Sequence, residues 1–132
     1  MKASAQRTER MTFTHRVTIR EHELIVDEPP EDGGDDEGPS PLELLAGSLA
    51  ACTAITVEMY AKRKGWQIGP VEVDCSYELP ERGAAARFEL VLRLADACTP
   101  EQLARLRVIA AKCPVHRVLE GEVTFEERLE VI

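Results

Sequence analysis

Apolar and polar residues alternate at every second position through Val71-Glu-Val73-Asp-Cys75-Ser-Tyr77-Glu-Leu79 and again through Arg87-Phe88-Glu-Leu90-Val-Leu92-Arg-Leu94. That period belongs to half-buried strands, and the Pro80-Glu-Arg-Gly83 turn between the runs predicts an antiparallel pair. A shorter alternation, Met11-Thr-Phe13-Thr-His15-Arg-Val17-Thr18, is followed by the β-favouring Leu24, Ile25 and Val26, which predicts a hairpin turning near Arg20 to His22. Between these hairpins the pattern changes. Ser40-Pro41-Leu42-Glu43 reads as a capping box with proline at the first helical position, and Lys62-Arg63-Lys64-Gly65 supplies cations for the last turn and a glycine to end it. One long helix over about 41–64 follows, with Leu44, Leu45, Leu49, Ile55, Val57 and Met59 spread around most of its circumference. A helix apolar on so many sides must be covered on more than one face, and a second copy of a chain this small is a natural cover.

Thr99-Pro100-Glu101-Gln102 opens a second helix by the same logic, with Leu103, Leu106, Ile109 and Ala110 as its apolar stripe, and this helix delivers Cys113 at its end. Pro114 restarts the chain, Val115 to Leu119 predict a further helical turn, Gly121 stops it, and Val123-Thr-Phe125-Glu-Glu-Arg-Leu129 predicts a closing strand. Strands that arrive as hairpins around a long helix give an α+β fold, and the length of 132 residues suits a single domain over 1–132.

The formal charge of −8 changes this picture less than its size suggests. Asp27, Glu28, Glu31, Asp32, Asp35, Asp36 and Glu37 crowd into one segment with Pro29, Pro30, Gly33 and Gly34, which predicts a solvated loop over 27–39 and leaves a nearly neutral body. An acidic balance with few aromatics argues against nucleic acid as a partner. No stretch is expected to reach the ~20 apolar residues of a membrane span, and the N-terminus, with Lys2, Arg7, Glu9 and Arg10, lacks the apolar segment of a signal peptide. The four cysteines include no Cys-x-x-Cys pair, so zinc-ribbon and thioredoxin patterns are absent and reduced thiols in a cytoplasmic protein are the expectation. His15, His22 and His116 show no metal-ligand spacing, and no metal is expected.

Cys52 and Cys113 stand apart from Cys75 and Cys98 because of their surroundings. Cys52 lies among small and apolar helical residues, with Leu45, Leu49, Ile55, Thr56 and Met59 expected on its face, whereas Cys113 is followed by His116 and Arg117, which could stabilise a thiolate. Cys75, in an alternating strand, and Cys98, at a strand-to-helix corner, read as inert core thiols.

The string Gly38-Pro-Ser-Pro41-Leu-Glu-Leu-Leu-Ala-Gly-Ser-Leu-Ala-Ala-Cys52-Thr, then Met59-Tyr60-Ala-Lys-Arg-Lys-Gly-Trp66, and finally Cys113-Pro-Val-His116, closely resembles the OsmC/Ohr family of osmotically inducible and organic hydroperoxide reductase proteins. The resemblance implies an intertwined α+β homodimer with antiparallel sheets and a long central helix. It further implies a thiol peroxidase in which Cys52 is the peroxidatic and Cys113 the resolving cysteine, reducing organic hydroperoxides through a Cys52–Cys113 disulfide that an external dithiol reopens, with no cofactor. The family's peroxidases hold an activating arginine with a glutamate ten residues before the peroxidatic cysteine. Leu42 stands there in this chain, and Glu43 comes one residue later. Arg16 and Arg20 in the N-terminal hairpin are candidates for the arginine, Glu43 for the acid, and His116 for a group that orients or protonates near Cys113. At nine residues from Cys52, Glu43 falls on nearly the opposite helical face, which favours a capping role. The missing glutamate leaves a second expectation open: a non-catalytic module that binds a small hydrophobic ligand or a dithiol carrier in the dimer pocket.

Overall fold

The computed structural model describes residues 1–10, 12–95 and 97–132 and divides into two units, residues 1–47 and 48–132. Met11, where the first alternation begins, lies outside the described residues. In the first unit, strands β1 (Ala3–Arg7), β2 (His15–Ile19) and β3 (His22–Val26) form an antiparallel sheet in chain order, with Val17 opposite Ala5 on one side and Leu24 on the other. The hairpin turns where the pattern placed it. Arg20 takes φ 55°, the left-handed conformation that tight hairpin turns require. Two details differ from the expectation. β2 starts at His15 because the residues ahead of it serve the loop: the Thr8 N–H bonds the Thr14 carbonyl at 3.0 Å, and the Thr12 hydroxyl is bonded to Asp35. β1, whose five residues are all exposed, carries no apolar alternation and exists through its ladder with β2.

The acidic segment is more ordered than a solvated loop. Pro30–Asp32 make a short 3-10 turn, and Gly34 passes so close to the Glu28 carbonyl that a Cβ would sit 1.8 Å from its oxygen. Asp27 is only 1% exposed. Its carboxylate accepts from the Thr14 hydroxyl at 2.8 Å and from the backbone N–H groups of Glu28 and Glu37 at 2.8 and 3.3 Å. Burial would raise the Asp27 pKa, but these bonds, with one from the Asp35 backbone, outweigh it and hold the carboxyl below the ordinary range.

Helix α1 (Pro41–Lys64) matches the expected span. Glu43 accepts from the Ser40 N–H at 2.9 Å and the Ser40 hydroxyl accepts from the Glu43 N–H at 3.3 Å, which completes the capping box. At the other end the Gly65 N–H bonds the Lys62 carbonyl and the Trp66 N–H bonds the Ala61 carbonyl, a Schellman motif with Gly65 at φ 70°. Contrary to expectation, α1 is by length and composition apolar enough to cross a membrane. Its packing in the second unit is that of a core helix: Val57, Tyr60 and Ala61 cluster with Ile68, Cys98, Leu106 and Ile109.

Strands β4 (Val71–Glu78) and β5 (Arg87–Leu94) pair antiparallel as the alternation predicts, with Val73 opposite Leu92, Cys75 opposite Leu90 and Tyr77 stacked on Phe88 at 4.6 Å. Helix α2 (Pro100–Ala110) begins on the Thr99–Gln102 capping box, and its Arg105 guanidinium donates to the Tyr60 hydroxyl at 2.9 Å. Helix α3 (Pro114–Glu120) is the expected extra turn. The closing strand does not form. Residues 122–132 have no regular secondary structure and are exposed, with Phe125 at 82% and Leu129 at 88%, and no described strand pairs with them. Alternation alone cannot make a strand, because a strand's backbone groups need a neighbour to bond.

Leu106→Ala should cost about 2–5 kcal/mol in chemical denaturation, since Leu106 is fully buried in the core. Asp27→Asn should destabilise the chain at neutral pH. Because the folded carboxyl titrates below its unfolded value, that deficit should be full above the ordinary carboxylate range and vanish as pH falls through the folded pKa. Urea midpoints of both proteins across acidic pH check it, and a pH-independent gap would contradict it.

Candidate active site

The buried positions of α1 in the second unit are Leu49, Thr53, Val57, Tyr60 and Ala61, one stripe at helical spacing. Ile55 and Met59 point to solvent at 54% and 62% exposure, so the face expected to run from Leu49 to Met59 is split. Cys52 lies on the seam between the two and is half-buried.

Cys113 reaches this seam from the other direction. α2 ends at Ala110, the Lys112 N–H closes onto the Ile109 carbonyl at 2.9 Å, and Cys113 adopts an extended conformation (φ −63°, ψ 144°) as the N-cap of α3. Pro114 fits the first helical position because no intrahelical bond is asked of its nitrogen there. The Cys113 sulfur, wholly buried, accepts from the His116 N–H at 3.3 Å. It also lies 3.7 Å from the Thr53 hydroxyl oxygen, and Cys52, the residue before Thr53 on α1, is near enough for its thiol to act on that of Cys113. Two cysteines far apart in sequence are thus brought together.

Burial pushes the Cys113 thiol up, the His116 N–H and the Thr53 hydroxyl pull it back, and the bond and charge of Cys52 push it up again, with a net upward result. A thiol held in this way stays protonated at neutral pH. Burial also pushes Cys75 up, and Cys98 is buried with its sulfur 3.9 Å from the Ile68 carbonyl, so both have the settings of structural thiols.

The other candidates fall as follows. His116 has its Nε2 2.8 Å from the Glu120 carboxylate, and its buried Nδ1 finds no hydrogen-bond partner among the described residues. It borders a cavity of about 300 Å³ lined also by Leu49, Ala86, Phe88, Leu90, Leu119 and Glu120. Arg16 and Arg20 belong to the first unit, where Arg16 pairs loosely with Glu23 at 3.7 Å and Arg20 with Glu21 at 3.8 Å, all well exposed. Glu43 is engaged in its cap. Among the described residues no group of three His, Cys, Asp or Glu is placed to hold a metal ion. Sequence reasoning passed over Thr53 and Glu120. The available signals were a hydroxyl four residues after Leu49 beside Cys52, and a carboxylate four residues after His116 on one helix.

A family profile described as OsmC-like protein matches residues 34–128. The chain belongs to the OsmC-like family. Its fold is that of solved family structures: an OsmC-like protein from Mycoplasma pneumoniae superposes with a TM-score of 0.74 at 20% identity over 91% of this chain and 86% of that one. A protein from Psychrobacter arcticus, described as an osmotic stress induced and detoxification response protein, gives 0.74 at 19% identity over 86% and 85%. The organic hydroperoxide resistance protein OhrB of Bacillus subtilis gives 0.61 at 20% identity over 91% and 90%. No curated protein matches the chain. As an OsmC-like domain it pairs an α+β framework of two small antiparallel sheets and a long helix with the two-thiol site described above.

Mild two-electron oxidation with diamide should join Cys52 to Cys113 within one chain and leave Cys75 and Cys98 open to alkylation. Peptide mapping by mass spectrometry checks this, and a bridge through Cys75 or Cys98 would contradict the site.

Proposed function

We propose that this OsmC-like protein is a thiol-dependent reductase of organic hydroperoxides, a reading carried by a half-exposed thiol that acts on a wholly buried one beside it. Exposure supports the roles. Of the two, Cys52 is the one open to an oxidant, so its thiolate attacks the terminal peroxide oxygen: the O–O bond breaks, Cys52 becomes a sulfenic acid, and the alkoxide takes a proton and leaves as alcohol. Cys113, shielded until then, gives up its proton and attacks the Cys52 sulfur as thiolate. The S–S bond forms, the S–O bond breaks, and the Cys113 proton leaves with the hydroxyl as water. An external dithiol reduces the disulfide and is itself oxidised. The residues of this cycle need no metal or organic cofactor.

The cavity supports an organic substrate. Leu49, a helical neighbour of Cys52, and His116, on the helix that Cys113 caps, border a space whose other walls include Phe88, Leu90 and Leu119. An alkyl or aryl tail gains about 0.8 kcal/mol per buried methylene there, and hydrogen peroxide gains nothing. The exposed Ile55 and Met59 of α1 and the apolar residues of the C-terminal tail support a homodimer as the working form. Four free cysteines suit a reducing cytoplasm. A second reading, a binding module for a small apolar ligand or a dithiol carrier, is favoured by Leu42 at the position where the family's peroxidases carry a glutamate.

Reduced protein mixed with cumene hydroperoxide should lose two thiols per chain. Cys52→Ser should abolish consumption, whereas Cys113→Ser should accumulate a sulfenic acid that dimedone traps. Discrimination against hydrogen peroxide in kcat/KM should be about tenfold or more, from two or so buried methylenes. Ligand binding in the cavity without thiol loss would instead establish the binding module.

A further inference from the structure

Thr53 is 2% exposed and its hydroxyl oxygen has two acceptors within reach: the Leu49 carbonyl at 2.8 Å and the Cys113 sulfur at 3.7 Å. A hydroxyl carries a single hydrogen, so it serves one of them at a time. While Cys113 is a thiol, the shorter contact to a carbonyl one turn back in the same helix is the better bond, the usual resting place of a helical threonine. A thiolate reverses that preference, because a charged acceptor makes the stronger hydrogen bond.

We propose that Thr53 is a positioning residue for Cys113, its hydroxyl hydrogen turning from the Leu49 carbonyl to the Cys113 sulfur when that sulfur loses its proton. The inference rests on the two-thiol cycle for its purpose, though not for its geometry. A sulfur with no exposure to water has only internal donors, and an unsolvated anion without them is costly. The His116 N–H is one such donor, fixed in place by α3. Cys52 is not another, since its bond and charge raise the proton affinity of Cys113 instead of stabilising the anion. Thr53 is the second donor, and it needs only rotation about its C–O bond to serve the sulfur. It also sits one residue from Cys52 on the same helix, so the donor and the sulfur under attack are carried by one rigid element.

Among the described residues, the only charge acting on the Cys113 thiol is that of Cys52. His116 on α3 acts through its backbone N–H, with its ring bonded to Glu120.

The test replaces Thr53 with Val, which keeps the β-branched shape without the hydroxyl, and with Ser, which keeps the hydroxyl. The Cβ resonance of isotopically labelled Cys113, followed against pH in the reduced full chain, reads the thiolate directly and needs no reagent to reach a buried sulfur. Thr53→Val should move the Cys113 titration to higher pH, lowering the thiolate fraction at any pH below it about tenfold, the size expected for one hydrogen bond to a charged group, and should slow disulfide closure after oxidation of Cys52 by a similar factor. Thr53→Ser should restore both, and Cys75 should titrate unchanged throughout. If circular dichroism shows Thr53→Val misfolded, Thr53→Ala gives the same comparison with less bulk. A Cys113 curve unmoved by loss of the hydroxyl, or a Ser variant behaving like Val, would overturn the assignment. Should the protein consume no hydroperoxide at all, the peroxidase reading fails while the titration still decides Thr53.

Discussion

A sulfur sealed from water at the start of a helix is the constraint on which the candidate site depends. Cys113 has no exposed surface, and each of its contacts is supplied by a separate piece of local structure. The N-cap geometry of α3 aims the His116 N–H at it, the buried stripe of α1 brings Thr53, and the seam of α1 brings Cys52. None of these needs a long side chain. The site is therefore as rigid as the two helices, and its geometry is set by where α2 stops and where Pro114 lets the chain begin again.

The same burial sets the two thiols apart. Excluding water from Cys113 raises its proton affinity and shields it from solutes, whereas Cys52 is half-exposed, and the proposed division of roles follows from that difference. A pair equally exposed would compete for peroxide, and a pair equally buried would meet none. α1 produces the asymmetry through its own cross-section. Leu49, Thr53 and Val57 face the interior, Ile55 and Met59 face outward, and position 52 falls between them. A helix apolar all round has no sharp boundary in its sequence, so packing against the rest of the second unit decides which side is interior.

That is also why sequence resolved some features and not others. Local chemistry was legible: the Ser40–Glu43 and Thr99–Gln102 capping boxes, the Gly65 stop, and the two strands whose alternation meets across Cys75 and Leu90 all lie where the residues put them. Features that depend on a distant partner were not. β1 has no pattern of its own, the C-terminal alternation has no strand to bond, and Asp27 looks like any other member of an acidic run until Thr14 and two backbone amides close on it. Thr53 escaped notice for the same reason. A hydroxyl beside a cysteine on a helix becomes informative only when a sulfur sixty residues later arrives next to it.

The replacement at position 42 can be weighed in the same terms. A carboxylate moved by one residue along a helix turns through about 100°, and Glu43 spends its oxygen on the Ser40 N–H at the first turn of α1. Its charge complements the helix N-terminus, which favours keeping it there. Glu43 therefore does not restore what Leu42 removes, and any lowering of the barrier to thiolate formation at Cys52 must come from groups other than this carboxylate. In the proposed cycle Cys113 is better suited to ionise after oxidation of Cys52, when the charge that opposed it has been consumed in the sulfenic acid.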